Sequence, residues 1–423
     1  MFEALKRAMK IPTLRKRILF TAMMLVVFRI GASIPTAGMD TSLIKNQLSK
    51  SNVLSLYDMM SGGALSQFTL FALGVTPYIT SSIVMQLLTV AIPSLEELQK
   101  SGEDGRKKIS EYTRYLSVAL ALFQSFSLVY GMFRGALLSQ DLLPVFTIVI
   151  TLTAGTTFLM WLGEIVTEKG IGNGVSMIIY AGIISRYPIS VKQTLELSKT
   201  GAINPIQIIV FLVVSIAIII GVIMVLEGVR KIPVQYAKRV IGKNTYGGQS
   251  SHIPLKVNQA GVIPVIFASS VMMLPEMMRF FVRNQEYQNF VQKYLSSNGN
   301  PGIYIFSIIQ FVLVFAFSYF YISITFQPDE VADNLKNGNG FIPGIRPGKP
   351  TADYIAKSLN RLTFVGAVFL SLIAALPTVI YHATEIPVRF GGTSLLIVVG
   401  VAIETMRQIK AQSVMRQYQG FLK

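Results

Sequence analysis

The residues able to do chemistry in this chain are few and badly spaced for it. Cysteine is absent, which excludes thiol catalysis, disulfides and thiolate metal sites. The two histidines, His252 and His382, lie far apart in segments that read as loops, where ordinary polarity accounts for them better than a metal or catalytic pair. No Gly-rich GKS or GKT loop exists to cradle phosphate, so the chain lacks the usual means of hydrolysing nucleotide. HExxH, GxSxG and an intramembrane carboxylate pair are absent as well, which leaves no protease machinery. The expectation is a protein that is not an enzyme, with no catalytic residue, no cofactor and no metal ligand. Few charges fall inside apolar segments, among them Arg29, placed to snorkel or pair, and Glu404 with Arg407 one turn away.

Those charges are rare because lipid is the expected solvent. Of 423 residues, 52% are hydrophobic and 14% are charged, too few charges to cover a soluble protein of this length. Ten apolar segments are long enough, or nearly so, to cross a bilayer as helices. They run Ile18–Ile34, Val75–Ile92, Tyr115–Phe133, Leu143–Ile165, Ile171–Ser185, Ile206–Leu226, Ala260–Leu274, Ile303–Phe326, Leu362–Tyr381 and Ser394–Ile409. The basic stretch LKRAMKIPTLRKR ahead of the first resembles a signal peptide, but no small-residue cleavage site follows, so it reads as a retained span. With alternate loops assigned to opposite sides, roughly three quarters of the 38 Lys and Arg fall on the side of the two termini. Both termini are therefore expected in the cytoplasm, and the net charge of +17 is mostly topology.

The second and seventh segments repeat each other. GVTPYITSSIVMQL (Gly74–Leu87) and GVIPVIFASSVMML (Gly261–Leu274) share Gly, Val, Pro and Ile at one offset, then Ser, Val, Met and Leu. GVSMIIYAG (Gly174–Gly182) and GTSLLIVVG (Gly392–Gly400) match more weakly through Gly174/Gly392, Ser176/Ser394, Ile179/Ile397 and Gly182/Gly400. Apolar helices share residues by chance, but the G-V-x-P-x-I spacing is harder to obtain that way. Span 2 thus answers span 7 and span 5 answers span 10, which makes two halves of five spans, the second inverted in the membrane. These four spans are also the short or Gly/Pro-interrupted ones, and irregular backbone at membrane depth must be buried or line a cavity. They are the expected functional axis, with spans 1, 3, 4, 6, 8 and 9 as scaffold. The axis presents Ile79/Ile266 and Ile179/Ile397. An ordinary packed core would use such residues too, but a ring of apolar side chains also keeps a narrow pore dry and shut to ions. Ahead of span 2, SGGALSQFTLFALG (Ser61–Gly74) is too short to span and reads as a half-helix folding back toward the axis from the outer side.

Seven blocks in order then resemble the bacterial SecY family, channel subunits of the general secretory (SecYEG) translocase. They are VFRIGASIP, SGGALSQFTLFALGVTPYITSSIVMQLLTV, ISEYTRYLSVALALFQS, MWLGEIVTEKGIGNGVSMIIYAGI, HIPLKVNQAGVIPVIFASS, FQPDEVADNLKNGNGFIPGIRPG and FGGTSLLIV. The resemblance covers nearly the whole chain. It implies an all-α membrane protein of ten transmembrane helices in two inverted pseudo-symmetric halves, residues 1–186 and 205–423, hinged at an external loop over 187–204. It implies an hourglass pore whose constriction falls on Val75, Ile79, Val175, Ile179, Ile266 and Ile397. Two of these positions, usually isoleucine in the family, are valine here. A plug at about 61–73 maps onto Gly62, Gly63, Ala64, Leu65, Ser66, Phe68 and Leu70. A lateral gate between spans 2–3 and 7–8 would release apolar segments into lipid, with Gln86, Gln124 and Asn258 as its polar cluster; each could instead be an isolated polar residue satisfied by backbone.

Two long cytoplasmic loops, 227–258 and 327–360, carry Arg230, Lys231, Lys238, Arg239, Lys243 and Arg346. Most of their basic residues follow from topology, but the length of both loops leaves room for docking. By resemblance they receive the ribosome, through its phosphate-rich RNA, or the motor ATPase SecA, with Arg346 at the position most tied to SecA. Asn244, where relatives often have a second basic residue after Lys243, implies a weaker ribosome contact there. Phe2–Met9 could lie as an amphipathic helix on the inner leaflet. The implied partners are SecE-type and SecG-type small subunits, SecA, the ribosome, signal-sequence-bearing polypeptides and lipid, in the cytoplasmic membrane. The expected function is the pore subunit of a passive protein-conducting channel, driven by a partner ATPase, the ribosome or the proton-motive force. A secondary transporter would explain the inverted repeat but lacks buried coupling charges. An insertase-like scaffold would explain the spans but not the plug or the interrupted axial helices.

Overall fold

The computed structural model describes the chain except residues 1–5, 7, 50–56, 60, 140, 202–203, 237–238, 242–243, 247–249, 280–281, 283, 296–300, 385–391 and 422–423. In chain order the described helices are α1 (Pro12–Gly31), α2 (Thr41–Ser49), α3 (Thr76–Ala91), α4 (Pro93–Lys100), α5 (Glu103–Phe126), α6 (Leu142–Lys169), α7 (Gly174–Lys199) and α8 (Pro205–Glu227). After strands β1 (Val229–Tyr236), β2 (Arg239–Ile241), β3 (Asn244–Tyr246) and β4 (Ser250–Lys256) come α9 (Ile263–Arg279), α10 (Gln285–Phe290), α11 (Gly302–Thr325) and α12 (Pro328–Asn337). Strand β5 (Gly340–Phe341), α13 (Lys349–Thr384) and α14 (Gly392–Phe421) complete the chain.

Each of the ten apolar segments coincides with one of these helices. By length and apolarity alone, six helices among the described residues could cross a membrane, or seven if α3 and α4, bent by 101° at their junction, count as one span. The local signals explain the boundaries. Pro205 opens α8 where its missing N–H costs nothing, and Asn204 with Gln207 forms a reciprocal capping box ahead of it. Asn173 accepts the Ser176 N–H and so starts α7. Glu103 and Asp104 sit in the first turn of α5, where the helix dipole favours negative charge.

The repeat is visible in the backbone. Gly74 and Gly261 both take left-handed φ, +56° and +65°, a conformation that glycine adopts without the usual Cβ clash. Two residues on, α3 and α9 begin at equivalent positions, and α7 and α14 both begin at the repeated glycines, Gly174 and Gly392. In space α3 packs on α9 and α7 packs on α14, and all four repeated helices contribute to one apolar cluster.

Several expectations need correction. The segment at 61–74 is not a half-helix but a run of turns, because Gly62, Gly63, Phe68 and Gly74 all have positive φ and break any helical ladder. The external loop expected at 187–204 is largely helical. Helix α7 extends to Lys199 and tolerates Pro188 in its interior, so only a short link precedes α8. Axial helices α7 and α14 are therefore not short, with 26 and 30 residues. The connections at 227–258 and 327–360, expected as loops, are also structured. Strands β1 and β4 form an antiparallel hairpin with Ile232 opposite Ile253. Strand β1 pairs on its other edge with β5, Gln235 opposite Phe341, which ties the two long connections into one sheet. Ile232, Val234, Leu255, Ile342 and Ile355 bury a small core beneath it.

Candidate functional site: the apolar axis

All six expected constriction residues meet in one apolar cluster. Val75, Ile79, Ile179, Ile266 and Ile397 are buried in it and Val175 packs against it. They come from four helices or their first turns, because the repeat places an isoleucine one turn or so inside each axial helix. Glu404 of α14 is exposed and lies outside the cluster. Arg407 donates to the Leu226 carbonyl of α8, which satisfies a C-terminal carbonyl of that helix.

The turn segment packs against this axis. Ala64 and Phe71 belong to the axial cluster, with Leu70 against it. Leu65, Phe68 and Leu73 enter a second cluster with Phe133 of the α5–α6 connection. Phe68 meets Phe133 edge-on at 5.7 Å, and Phe71 lies between the rings of Phe28 and Phe158 at 6.2 and 6.0 Å. The Thr36 N–H donates to the Phe68 carbonyl and the Leu70 N–H to the Ile34 carbonyl, anchoring the segment to the chain after α1. Tyr57 donates its hydroxyl to the Leu73 carbonyl, and burial pushes that phenol above its ordinary pKa, so it stays a neutral donor. Arg29 is exposed, and its Nη1 donates to the Gly62 carbonyl at 2.9 Å; among the described residues no carboxylate pairs with it.

Glycines let this segment nest. A Cβ on Gly31 would fall 2.1 Å from the Phe71 ring, and one on Gly155 would fall 2.0 Å from the Leu70 carbonyl oxygen. No sequence pattern marked Gly31 or Gly155, since a helical glycine admits any neighbour equally well.

A family model for SecY matches residues 69–406. The chain is 45% identical to the protein translocase subunit SecY of Streptomyces scabiei, over the whole of both chains. It is 42% identical to that of Thermotoga maritima, covering 100% of this chain and 98% of the relative. The chain belongs to the SecY family. Its fold is similar to the solved structure of a protein conducting channel, with a TM-score of 0.70 at 20% identity over 95% of this chain and 93% of the other. It is also similar to canine Sec61 from a ribosome-channel complex, with a TM-score of 0.66 at 18% identity, covering 95% and 93%. As a SecY-family chain with several long apolar helices, it is a multi-pass membrane protein.

The residues expected at a SecY lateral gate are distributed rather than clustered. Asn258 is buried and donates to the Gly261 carbonyl at 2.9 Å, while Gln86 donates weakly to Ser82 at 3.4 Å. Gln124 is buried, and its Oε1 has no partner among the described residues. Among the described residues no hydrogen bond joins the three, although α3 and α9 touch along the seam they would guard.

On the sheet, Arg230 and Lys231 are exposed on β1, and Arg346 is exposed on the turn after β5. Its carbonyl accepts the Thr351 hydroxyl at the start of α13, which braces that turn. Arg239 lies on β2, its side chain outside the described set, and Lys238 and Lys243 lie outside the described residues, as does most of Phe2–Met9. Sequence reasoning missed the sheet, though the alternation Ile232/Val234 against Ile253/Leu255 carried its signal.

Proposed function

We propose that this chain is the pore-forming subunit of a protein-conducting channel that passes unfolded secretory polypeptides across the cytoplasmic membrane and releases membrane segments sideways into lipid. The observation that carries this reading is the shared cluster. Val75, Ile79, Val175, Ile179, Ile266 and Ile397 close on one another and on the turn segment that includes Ala64 and Phe71. A constriction of aliphatic side chains excludes ions when empty, because a narrow apolar neck dewets, and it deforms around an extended chain without specific contacts. Residues Gly62, Gly63, Ala64, Leu65, Ser66, Phe68 and Leu70 are the plug that leaves when a substrate enters. Ten helices form two halves that open about the short link after Lys199, with Gln86, Gln124 and Asn258 along the seam.

The chain itself performs no chemistry in this reading, and energy comes from a partner ATPase, the ribosome or the proton-motive force. The relatives are named protein translocase subunits, and solved neighbours include a ribosome-bound channel, which supports docking at the sheet that joins the two cytoplasmic connections. Arg230, Lys231 and Arg346 provide basic contacts there for a SecA-type motor or the ribosome, with Lys238, Arg239 and Lys243 added from the stretch of chain between β1 and β4. SecE-type and SecG-type subunits cover the outer helices, of which α8 buries almost none of its apolar surface within this chain. Binding at the sheet opens the channel only in so far as the partner prefers the open state.

Because the chain has no cysteine, a single cysteine can be placed at Ile266 or Ile397 and probed with a stalled, cross-linkable secretory chain. Efficient cross-linking at these positions is expected, with little at the exposed Ile216 of α8. The reverse pattern would overturn the pore assignment.

A further inference from the structure

We propose that Asp58 and Arg186 form a latch that holds the plug segment in its seat, and that breaking this one ion pair is a gating step of the channel. The inference rests on the plug reading above and deepens it.

Asp58 is the one charged residue among the described buried ones. A carboxylate so placed is unfavourable unless it is paired and hydrogen-bonded, and both of its oxygens have a partner. Arg186 of α7 makes an ion pair with its Oδ2. The Ser66 N–H donates to its Oδ1 at 2.6 Å, and the same Arg186 nitrogen donates to the Ser66 hydroxyl at 2.7 Å. The Gly63 N–H donates to the Asp58 carbonyl at 2.7 Å, so the turn wraps around the carboxylate. Arg186 therefore grips the segment at both its start and its middle, from a helix 128 residues away in sequence.

The two plug glycines are what make the grip possible. A Cβ on Gly63 would fall 2.5 Å from the Arg186 guanidinium carbon, and one on Gly62 would fall 2.9 Å from the Gly182 Cα of the same helix. Both glycines also need positive φ, +70° and +89°. The rest of the plug is held by apolar contacts, which tolerate sliding, and by bonds to its backbone from Arg29, Ile34 and Thr36 that engage no plug side chain. A guanidinium nitrogen that bonds the Asp58 carboxylate and the Ser66 hydroxyl together defines a single register. The pair is also reversible. Its side chains keep 21% and 10% of their surface exposed, so both ends rehydrate once the plug leaves. This gives the arrangement the character of a catch rather than a permanent staple.

The test uses the complete reconstituted channel complex, with Leu65→Cys as the sole thiol. Leu65 is fully buried in the seated plug, so its labelling by a membrane-impermeant maleimide reports plug departure. Asp58→Asn and Arg186→Gln are each expected to raise the labelling rate of the resting channel by about tenfold, with the double variant no faster than the quicker single. Arg186→Lys, which keeps the charge but loses the fork, should fall between wild type and Arg186→Gln. Deletion of residues 62–70 in parallel should raise idle ion conductance. Unchanged labelling in the single variants, with a leaky deletion, would overturn the latch and leave the plug standing. Multiplicative effects in the double variant would show that the residues act separately and overturn the pair. A deletion that does not leak would remove the plug reading and the latch with it.

Discussion

Gly182 and Gly400 hold the same place in the internal repeat, but they admit different neighbours. Against Gly182 lies Gly62 of the turn segment, so close that a Cβ on Gly62 would meet the Gly182 Cα at 2.9 Å. Against Gly400 lies Val262, whose Cγ1 would be 2.3 Å from an added Cβ. The first half thus uses its axial glycine to seat a non-helical segment, and the second uses its own to admit Val262, the residue just ahead of α9. Gly31 and Gly155 extend the first-half socket around Phe71 and Leu70. Duplicated helices can keep their apolar faces and diverge in what fills the space between them, because a glycine specifies only room.

The sharpest way to break this comparison is to fill both spaces. Gly155→Leu meets the plug's own backbone carbonyl, which cannot rotate aside, and overpacking of this kind costs about 3 kcal/mol at its upper range. It is expected to expel the plug and expose Leu65→Cys to labelling. Gly400→Leu meets a side chain and should lower thermal stability without changing that labelling; release of the plug by both variants would erase the distinction between the halves.

A smaller effect tests what the halves still share. Ile79→Ala and Ile266→Ala occupy equivalent positions with 5% and 6% exposure, and each should destabilise the closed channel by about 2 kcal/mol. Thermal unfolding and idle conductance should move together and to the same degree in both variants. A leak from one alone would mean the constriction belongs to one half.

The smallest expected change compares two polar residues assigned to the gate seam. Gln124 carries a buried oxygen without a partner, so Gln124→Leu should stabilise the seam by about 1 kcal/mol. Asn258 uses its amide to hold Gly261, so Asn258→Leu should destabilise by about 1 kcal/mol. Melting temperatures shifting in opposite directions are the expected outcome, and shifts of one sign would show that neither hydrogen-bonding state matters.

Much of the axis was legible in the chain. The isoleucines at 79, 179, 266 and 397 could be selected from the repeat, and all four fall in one cluster. The glycines flanking the plug signalled a short element but not its form. Helix or turns depended on φ at Gly62, Gly63, Phe68 and Gly74, and Phe68 gives no sequence hint of its +45°. The hairpin of β1 and β4 was overlooked because its basic residues already had an explanation in membrane topology, though its alternating pattern was present.

By itself the sequence determined the solvent, the internal duplication and the aliphatic character of the axis. Each is a property of composition or period, and each survives whatever the distant parts of the chain do. Only the tertiary structure decided that Arg29 bonds the Gly62 carbonyl, that Arg186 pairs with Asp58, and that β5 joins β1. Those choices depend on donors and acceptors brought together from far apart in the chain, where the energy turns on separations of an ångström or less that no local pattern encodes.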